Sequence, residues 1–280
     1  MTSIQLLRVV PLRRSPAEAV EQSALPDCAA VSIDNLHKGF RRQAQYVEVI
    51  SDLTMALPRG ESGSLIGPSG CGKSTLLRII AGLEQYEQGN VAVHGRPVTG
   101  ARRDVGFMFQ GLALLPWRSV LQNVRLPGEL LGMSREQIAQ RAERCLSLVG
   151  LTGYEKYPLR QISGGMRQRV ALARLLMTHT KLLLLDEPFS SLDEFTRETI
   201  DLLFMDVAAK AATDYLMVTH SIPEAVLMSD KVFVLSPPPA RLLATIDVPL
   251  PRPRTKEIQD HAVFHEVTHE IREVLLTHMS

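Results

Sequence analysis

Cysteine is scarce in this 280-residue chain: Cys28, Cys71 and Cys145 stand far apart and show no C-x-x-C spacing. That excludes a disulfide framework and suits a reducing compartment. Long apolar runs are missing too. None approaches the ~18 to 20 residues that a membrane helix needs, and the opening IQLLRVVPL is cut by Arg8 and Pro11 before a signal-like core forms. If a membrane is involved, another chain spans it. Net charge is nearly absent, with 31 Lys and Arg against 30 Asp and Glu, or +1. Such a chain projects no global field toward nucleic acid or anionic lipid, so any anionic ligand has to be held by a local site.

What is present begins with an apolar fraction of 45%, enough over this length for one large domain or two small ones. Residues 1 to 30 mix Arg, Pro, Ala and Glu without a sustained period and read as a mobile extension. From Val31 the runs VSIDNLH, YVEVISDLTMAL and NVAVHG, separated by polar or Gly-containing links, predict antiparallel strands. SLIGPSGCGKSTLLRIIAGL then reads as an apolar strand, a glycine-rich turn and a helix with apolar positions at Leu76, Leu77, Ile79, Ile80 and Leu83.

Gly67-Pro68-Ser69-Gly70-Cys71-Gly72-Lys73-Ser74 fits G-x-x-x-x-G-K-[ST] in the strand-turn-helix context its mechanism requires. The glycines let backbone N–H groups curl around a polyphosphate and the helix N-terminus adds partial positive charge. Lys73 reaches the β- and γ-phosphates and Ser74 ligates Mg²⁺. Cys71 is a small loop residue. In LLLLDEP, residues 182 to 188, four leucines predict a buried parallel strand whose C-terminal end presents carboxylates. Asp186 can hold the Mg²⁺ shell. Glu187 can polarise a water for in-line attack on a γ-phosphate; its alternative reading is a capping acid at a strand end. RQISGGMRQRVALARLL places Ser163, Gly164 and Gly165 before a helix carrying Val170, Leu172, Ala173, Leu175 and Leu176. This second helix N-terminus suits phosphate binding, or an ordinary N-cap.

These motifs together resemble the ATP-binding-cassette (ABC) ATPases, whose signature reads L/I-S-G-G-x-x-Q/R-R, over about Val31 to Leu235. The resemblance implies an α/β fold: a P-loop ABC-type nucleotide-binding domain with an antiparallel β subdomain and a helical subdomain inserted at about 111–162. It adds Thr75 to the nucleotide-binding set, makes Gln110 in VGFMFQ the Q-loop glutamine that senses Mg²⁺ or water, and makes His220 in YLMVTHS the switch histidine. Ser190-Ser191-Leu192-Asp193 looks like the D-loop. Phe40 in HKGF, with Tyr46 as the alternative, is the aromatic that would stack on adenine. Ile162 and Met166 depart conservatively from the commoner signature residues.

The same resemblance implies a head-to-tail dimer, of two copies or with a paralogue, in which Ser163 to Gly165 of one chain close on ATP held by Lys73 of the other. It implies a separate permease docked beside Gln110, where Leu114, Leu115 and Trp117 either supply part of the groove or pack internally, on the cytoplasmic face of the cell membrane, and indirectly a solute-binding protein. The tail SPPPARLLATIDVPLPRPRTKE, followed by a short helix, is similar to the end of cassettes in the nitrate, sulfonate and taurine uptake group, and 236–280 is set apart as an extension. A soluble cassette acting on nucleic acid or ribosomes is the rival reading, although tandem cassettes and sustained heptads are missing. A small-molecule kinase would leave the SGG run unexplained.

Two local patterns complete the reading. Ser134-Arg135-Glu136-Gln137 fits a capping box, with Ile138, Ala142, Cys145 and Val149 following on one helical face. HEVTH at 265 to 269 has the spacing of a zinc protease, and His261, His265 and His269 share a flank beside the apolar stripe Phe264, Val267, Ile271 and Leu275. A catalytic zinc needs a third protein ligand and a cleft, and with the chain otherwise devoted to an ATPase the histidines are expected to form a solvated flank.

Overall fold

The computed structural model describes residues 29–42, 45–178, 180–190 and 192–278. The expected N-terminal extension lies outside the described residues except for Ala29 and Ala30, which begin the first strand, and Ser191 of the D-loop-like run also lies outside them. The chain starts with a long hairpin, β1 (Ala29–Arg42) and β2 (Gln45–Pro58), then β3 (Ser62–Ile66) and α1 (Lys73–Ile80). Three short strands follow: β4 (Gln88–Val93), β5 (Arg96–Pro97) and β6 (Val105–Met108). Next come α2 (Val120–Leu130), α3 (Arg135–Leu148), α4 (Gly164–Leu176), β7 (Leu182–Asp186) and α5 (Glu194–Lys210). The chain closes with β8 (Asp214–Val218), α6 (Ile222–Met228), β9 (Lys231–Leu235), β10 (Leu242–Asp247) and α7 (Ala262–His278).

Two sheets result. One is antiparallel, in the order β2-β1-β4-β5, as the alternating β-rich runs predict. The other has the order β10-β9-β3-β8-β7-β6, parallel throughout except that β10 runs against β9. In the parallel sheet both faces are covered, which is why β7 is a continuous leucine run rather than an alternating one. Leu182 and Leu184 belong to the core shared with α1 and the antiparallel sheet, whereas Leu183 and Leu185 belong to the core shared with α4, α5 and α6. Each buried leucine stabilises the fold by roughly 1.5–3 kcal/mol. The rule that successive strand residues face opposite ways thus fixes β7 between two cores and brings its C-terminal carboxylates to the sheet edge beside the turn after β3.

The helical stretch between β6 and β7 is capped as its sequence dictates. Ser134 accepts from the Gln137 amide and the Gln137 side chain returns to the Ser134 amide, while Ile138, Ala142, Cys145 and Val149 are buried. Ser119 and Gln122 form a second capping box that opens α2.

Three expectations are corrected. Helix α1 ends at Ile80, so Leu83 lies beyond it and is half exposed. The C-terminal helix is not short: α7 spans 17 residues. Nor do residues 236–280 stand apart from the domain, because β10 is a strand of the parallel sheet and Phe264, Val267 and Ile271 of α7 are buried in its core. The stripe on α7 outweighed the proline signals around it. His265 and His269 are exposed on the neighbouring flank, and among the described residues no group of three or more His, Cys, Asp or Glu can hold a metal.

Candidate functional site

The site is assembled at the C-terminal ends of β3, β6, β7 and β8. Between β3 and α1 the chain makes a tight turn that only glycine fits at two places: a Cβ on Gly67 would lie 2.8 Å from the Leu235 carbonyl oxygen, and Gly72 has φ 114°. Gly72 is also the N-cap of α1, with no side-chain hydrogen bond closing the helix end. Lys73 is buried, and its ammonium donates to the carbonyls of Gly67 and Pro68, 2.8 Å each, so it lies within the turn. Cys71 is fully buried and burial pushes its thiol up, as befits a small packing residue. Pro68, Ser69, Gly70 and Thr75 complete the turn and the first residues of α1.

Opposite the turn, the Ser74 hydroxyl donates to Asp186 Oδ1 at 2.7 Å, and Asp186 is 3% exposed. A hydroxyl and a carboxylate side by side are a hard-oxygen pair that suits Mg²⁺, which takes few protein ligands and fills its shell with phosphate oxygens and water. Glu187 follows with φ 46°, a left-handed conformation that costs an ordinary residue roughly 1–2 kcal/mol. Its backbone N–H donates to the Val218 carbonyl, which anchors it to β8. The strained backbone turns the side chain toward Gln110, whose Nε2 donates to Glu187 Oε2 at 3.0 Å. His220 Nδ1 stands 3.9 Å from the same oxygen. The structure therefore brings Lys73, Ser74, Gln110, Asp186, Glu187 and His220 together from four chain segments.

Ser163, Gly164 and Gly165 form a separate group. Ser163 is the N-cap of α4, its hydroxyl accepting from the Met166 amide at 3.2 Å, and both Ser163 and Gly164 are exposed. Asp193 caps α5 through the Thr196 amide, a bond that holds its carboxyl below the usual range. The two helix starts touch: a Cβ on Gly165 would lie 3.0 Å from Thr196 Cγ2. No hydrogen bond or ion pair among the described residues joins this group to the turn before α1. Phe40 sits at the hairpin end with Lys38 Nζ 4.4 Å from its ring centroid, while the Tyr46 ring covers Gly39 on the neighbouring strand. Both aromatics retain an exposed face. Leu114 and Leu115 are half-buried, whereas Trp117 is 76% exposed.

Sequence reasoning missed the side chains that hold this arrangement. Gln168, 2% exposed, donates from Nε2 to the Pro188 carbonyl at 2.6 Å, and Arg174 donates to the carbonyls of Leu112 and Ala113, 2.6 Å each. Helix α4 thereby fastens both the loop after Glu187 and the loop after Gln110. A signal for Gln168 was present, since it extends the apolar stripe of Leu172 and Leu175 at i+4 and i+7 and so had to be buried. Behind His220, Thr219 hydrogen-bonds Glu224, and burial pushes the Glu224 carboxyl up. Nearby Asp201 is pushed up to about 8 by burial and then by Glu224.

The sequence profile of the ABC transporter family matches residues 50–190. An aliphatic sulfonates import ATP-binding protein of Xanthomonas axonopodis pv. citri is 44% identical over 77% of this chain and 86% of the relative. A taurine import ATP-binding protein of Pseudomonas aeruginosa is 40% identical over 76% of this chain and 81% of the relative. Among solved structures, the dimeric post-hydrolysis state of an ATP-binding cassette bound to ADP and Pi superposes with a TM-score of 0.69 at 29% identity, covering 78% of this chain and 98% of that one. The cassette cbiO1 of Clostridium perfringens, part of the ABC transporter complex cbiONQ, shares the fold, with a TM-score of 0.71 at 24% identity over 89% of this chain and 95% of that one.

Proposed function

The chain belongs to the ATP-binding proteins of the ABC transporter family and is an ATPase, and from that premise we propose that it powers import of a small sulfonate-type anion through a separate permease. The observation that carries the catalytic part is the single Glu187 oxygen flanked by Gln110 and His220, at the strand ends beside a buried lysine. ATP lies with its phosphates in the turn from Gly67 to Thr75 and with its adenine on Phe40, Tyr46 being the other candidate surface. Lys73 exchanges its carbonyl partners for β- and γ-phosphate oxygens. Ser74, Asp186 and Gln110 would hold Mg²⁺, which would supply positive charge against the negative charge that develops at the γ-phosphoryl group.

Glu187 accepts a proton from the attacking water as the water adds in line with the departing ADP. His220 orients that water and donates to the γ-phosphate. Ser163, Gly164, Gly165 and Asp193 act on the ATP of a second subunit, so hydrolysis loosens a dimer that ATP had bridged, and the permease follows. No helix among the described residues is long and apolar enough to cross a membrane; the place proposed for the chain, on the cytoplasmic face beside a membrane-spanning permease, rests on the relatives' being import ATP-binding proteins. The relatives' names support a sulfonate solute, and none of them favours action on nucleic acid; delivery of the solute by a separate binding protein belongs to the same proposal.

Reconstitution with a candidate permease and solute-binding protein tests the reading. ATP-dependent uptake of taurine or an alkanesulfonate is expected, and it is lost with Glu187→Gln. Uptake unaffected by that change, or no uptake of any sulfonate, overturns the proposal.

A further inference from the structure

A cavity of about 870 Å³ opens between α3, the end of α4 and the end of α5. Its walls are α3, the end of α4, the start of β7 and the end of α5 with the link to β8, and none of the proposed nucleotide-site residues lines it. The size is that of a small-molecule site. Its floor is apolar, made by Met133, Leu148, Leu175, Leu176, Leu183 and Val207. Its charged lining is of one sign: Arg141, Arg144, Lys181 and Lys210, with no acidic side chain among the lining residues.

Most of these cations lack counter-ions. Lys210 pairs with Asp206 at 2.6 Å, but neither Arg144 nor Lys181 makes an ion pair among the described residues. Arg141 donates from Nη2 to the Leu176 carbonyl at 2.7 Å, while its Nε is buried without a partner. Burial lowers the Arg141 pKa, and no carboxylate offsets that effect. A guanidinium taken partly out of water with an unused N–H and no anion beside it carries an uncompensated desolvation cost, and a bound anion relieves that cost. The one-signed rim also focuses field into the crevice. An inorganic anion would answer the charge yet leave the apolar floor wet.

We propose that this cavity binds a small organic anion, with its charged head on Arg141, Arg144 and Lys181 and its apolar part against Leu148, Leu176 and Leu183. The ligand joins α3 to α5, so occupancy fastens the helical stretch to the parallel sheet. The site stands independently of the solute and the mechanism proposed above.

Isothermal titration calorimetry with three probes tests it: hexane-1-sulfonate for the whole ligand, sulfate for the head alone and hexan-1-ol for the tail alone. Hexane-1-sulfonate is expected to bind once per chain, at least ten-fold more tightly than either fragment, and equally well to the Lys73→Ala variant. Arg141→Gln and Lys181→Ala are each expected to weaken it five-fold or more. Lys181 is exposed and Arg144→Ala offers a third surface variant, so loss of binding with an unchanged melting temperature is distinct from misfolding. Equal affinity for sulfate reduces the site to inorganic anions, and equal affinity for hexanol to an apolar crevice. Either result overturns the proposal, as does undiminished binding in both the Lys181→Ala and Arg144→Ala variants.

Discussion

Helices α1 and α4 both begin at glycines, α1 after Gly72 and α4 with Gly164 and Gly165, yet their N-termini are finished in opposite ways. At α1 the cap is Gly72, φ 114°, with no side chain to accept from the first turn. At α4 the cap is Ser163 in extended geometry, and its hydroxyl already takes the Met166 amide. Every helix leaves up to four N–H groups without an intrahelical acceptor, so the first terminus is left for an outside acceptor while the second partly satisfies itself. Their surroundings differ in the same sense. The α1 terminus carries buried Lys73 and faces the carboxylates of β7, whereas the α4 terminus is exposed and backed by the capped start of α5. One has its parts within the chain; the other is a self-capped, exposed terminus that the proposed function assigns to the anion of a second subunit.

That contrast breaks most readily at the chemistry the α1 side is asked to perform. Glu187→Gln is expected to lower phosphate release by ~10²- to 10⁴-fold while ATP still binds, because only water activation is removed. Equilibrium binding of labelled ATP beside a phosphate-release assay separates the two, and turnover at the wild-type rate removes Glu187 from its role. Lys73→Ala is expected to act on binding instead. Loss of a charge-assisted bond worth ~1.5–3 kcal/mol weakens ATP binding by roughly 10- to 150-fold. An ATP affinity within two-fold of wild type would show that the α1 terminus does not depend on its lysine.

The α4 side is tested by assembly. Ser163→Arg puts a bulky cation where the partner's phosphate is to sit. In the Glu187→Gln background, light scattering is expected to show no ATP-dependent dimer, while the monomer's ATP affinity stays within about two-fold, since phosphate contacts at α1 are untouched. A dimer fraction equal to that of Glu187→Gln alone would mean that the two termini do not meet across subunits.

How much of this was legible in the sequence follows from how local each feature is. The strand, turn and helix from Ser62 to Ile80 could be read because glycine spacing and apolar period lie within one short stretch, and the leucines of β7 announced a strand buried on both faces. The capping box at Ser134 was equally local. Gln168 and Arg174 were not legible in role, because their acceptors are backbone carbonyls of Pro188, Leu112 and Ala113 far along the chain. Every residue has a carbonyl, so such a bond leaves no mark on the partner's sequence. The true extent of α7 and the pairing of β10 were masked for a related reason. Prolines on either side of β10 signal a loose tail, while the burial that overrides them depends on α6 and β9.

The smallest effect sharpens the contrast furthest, because it concerns folding alone. Ser163→Ala removes the hydroxyl that accepts from Met166 and adds nothing, so it should cost about 1 kcal/mol, the usual worth of a serine cap. For a chain of this size that lowers the melting temperature by roughly 2–4 °C. Ser163→Thr keeps an acceptor in the same place and should recover most of the loss. The corresponding change at α1 has a different cause: Gly72→Ala removes no cap bond, but it forces a side chain into φ 114° with its Cβ 3.0 Å from Val49 Cγ1, and it should destabilise through strain. Scanning calorimetry of the three variants distinguishes the mechanisms, since only the α4 loss is repaired by restoring a hydroxyl. If Ser163→Ala melts with the wild type, the α4 terminus is not self-satisfied, and the difference between the two helices lies only in where they point.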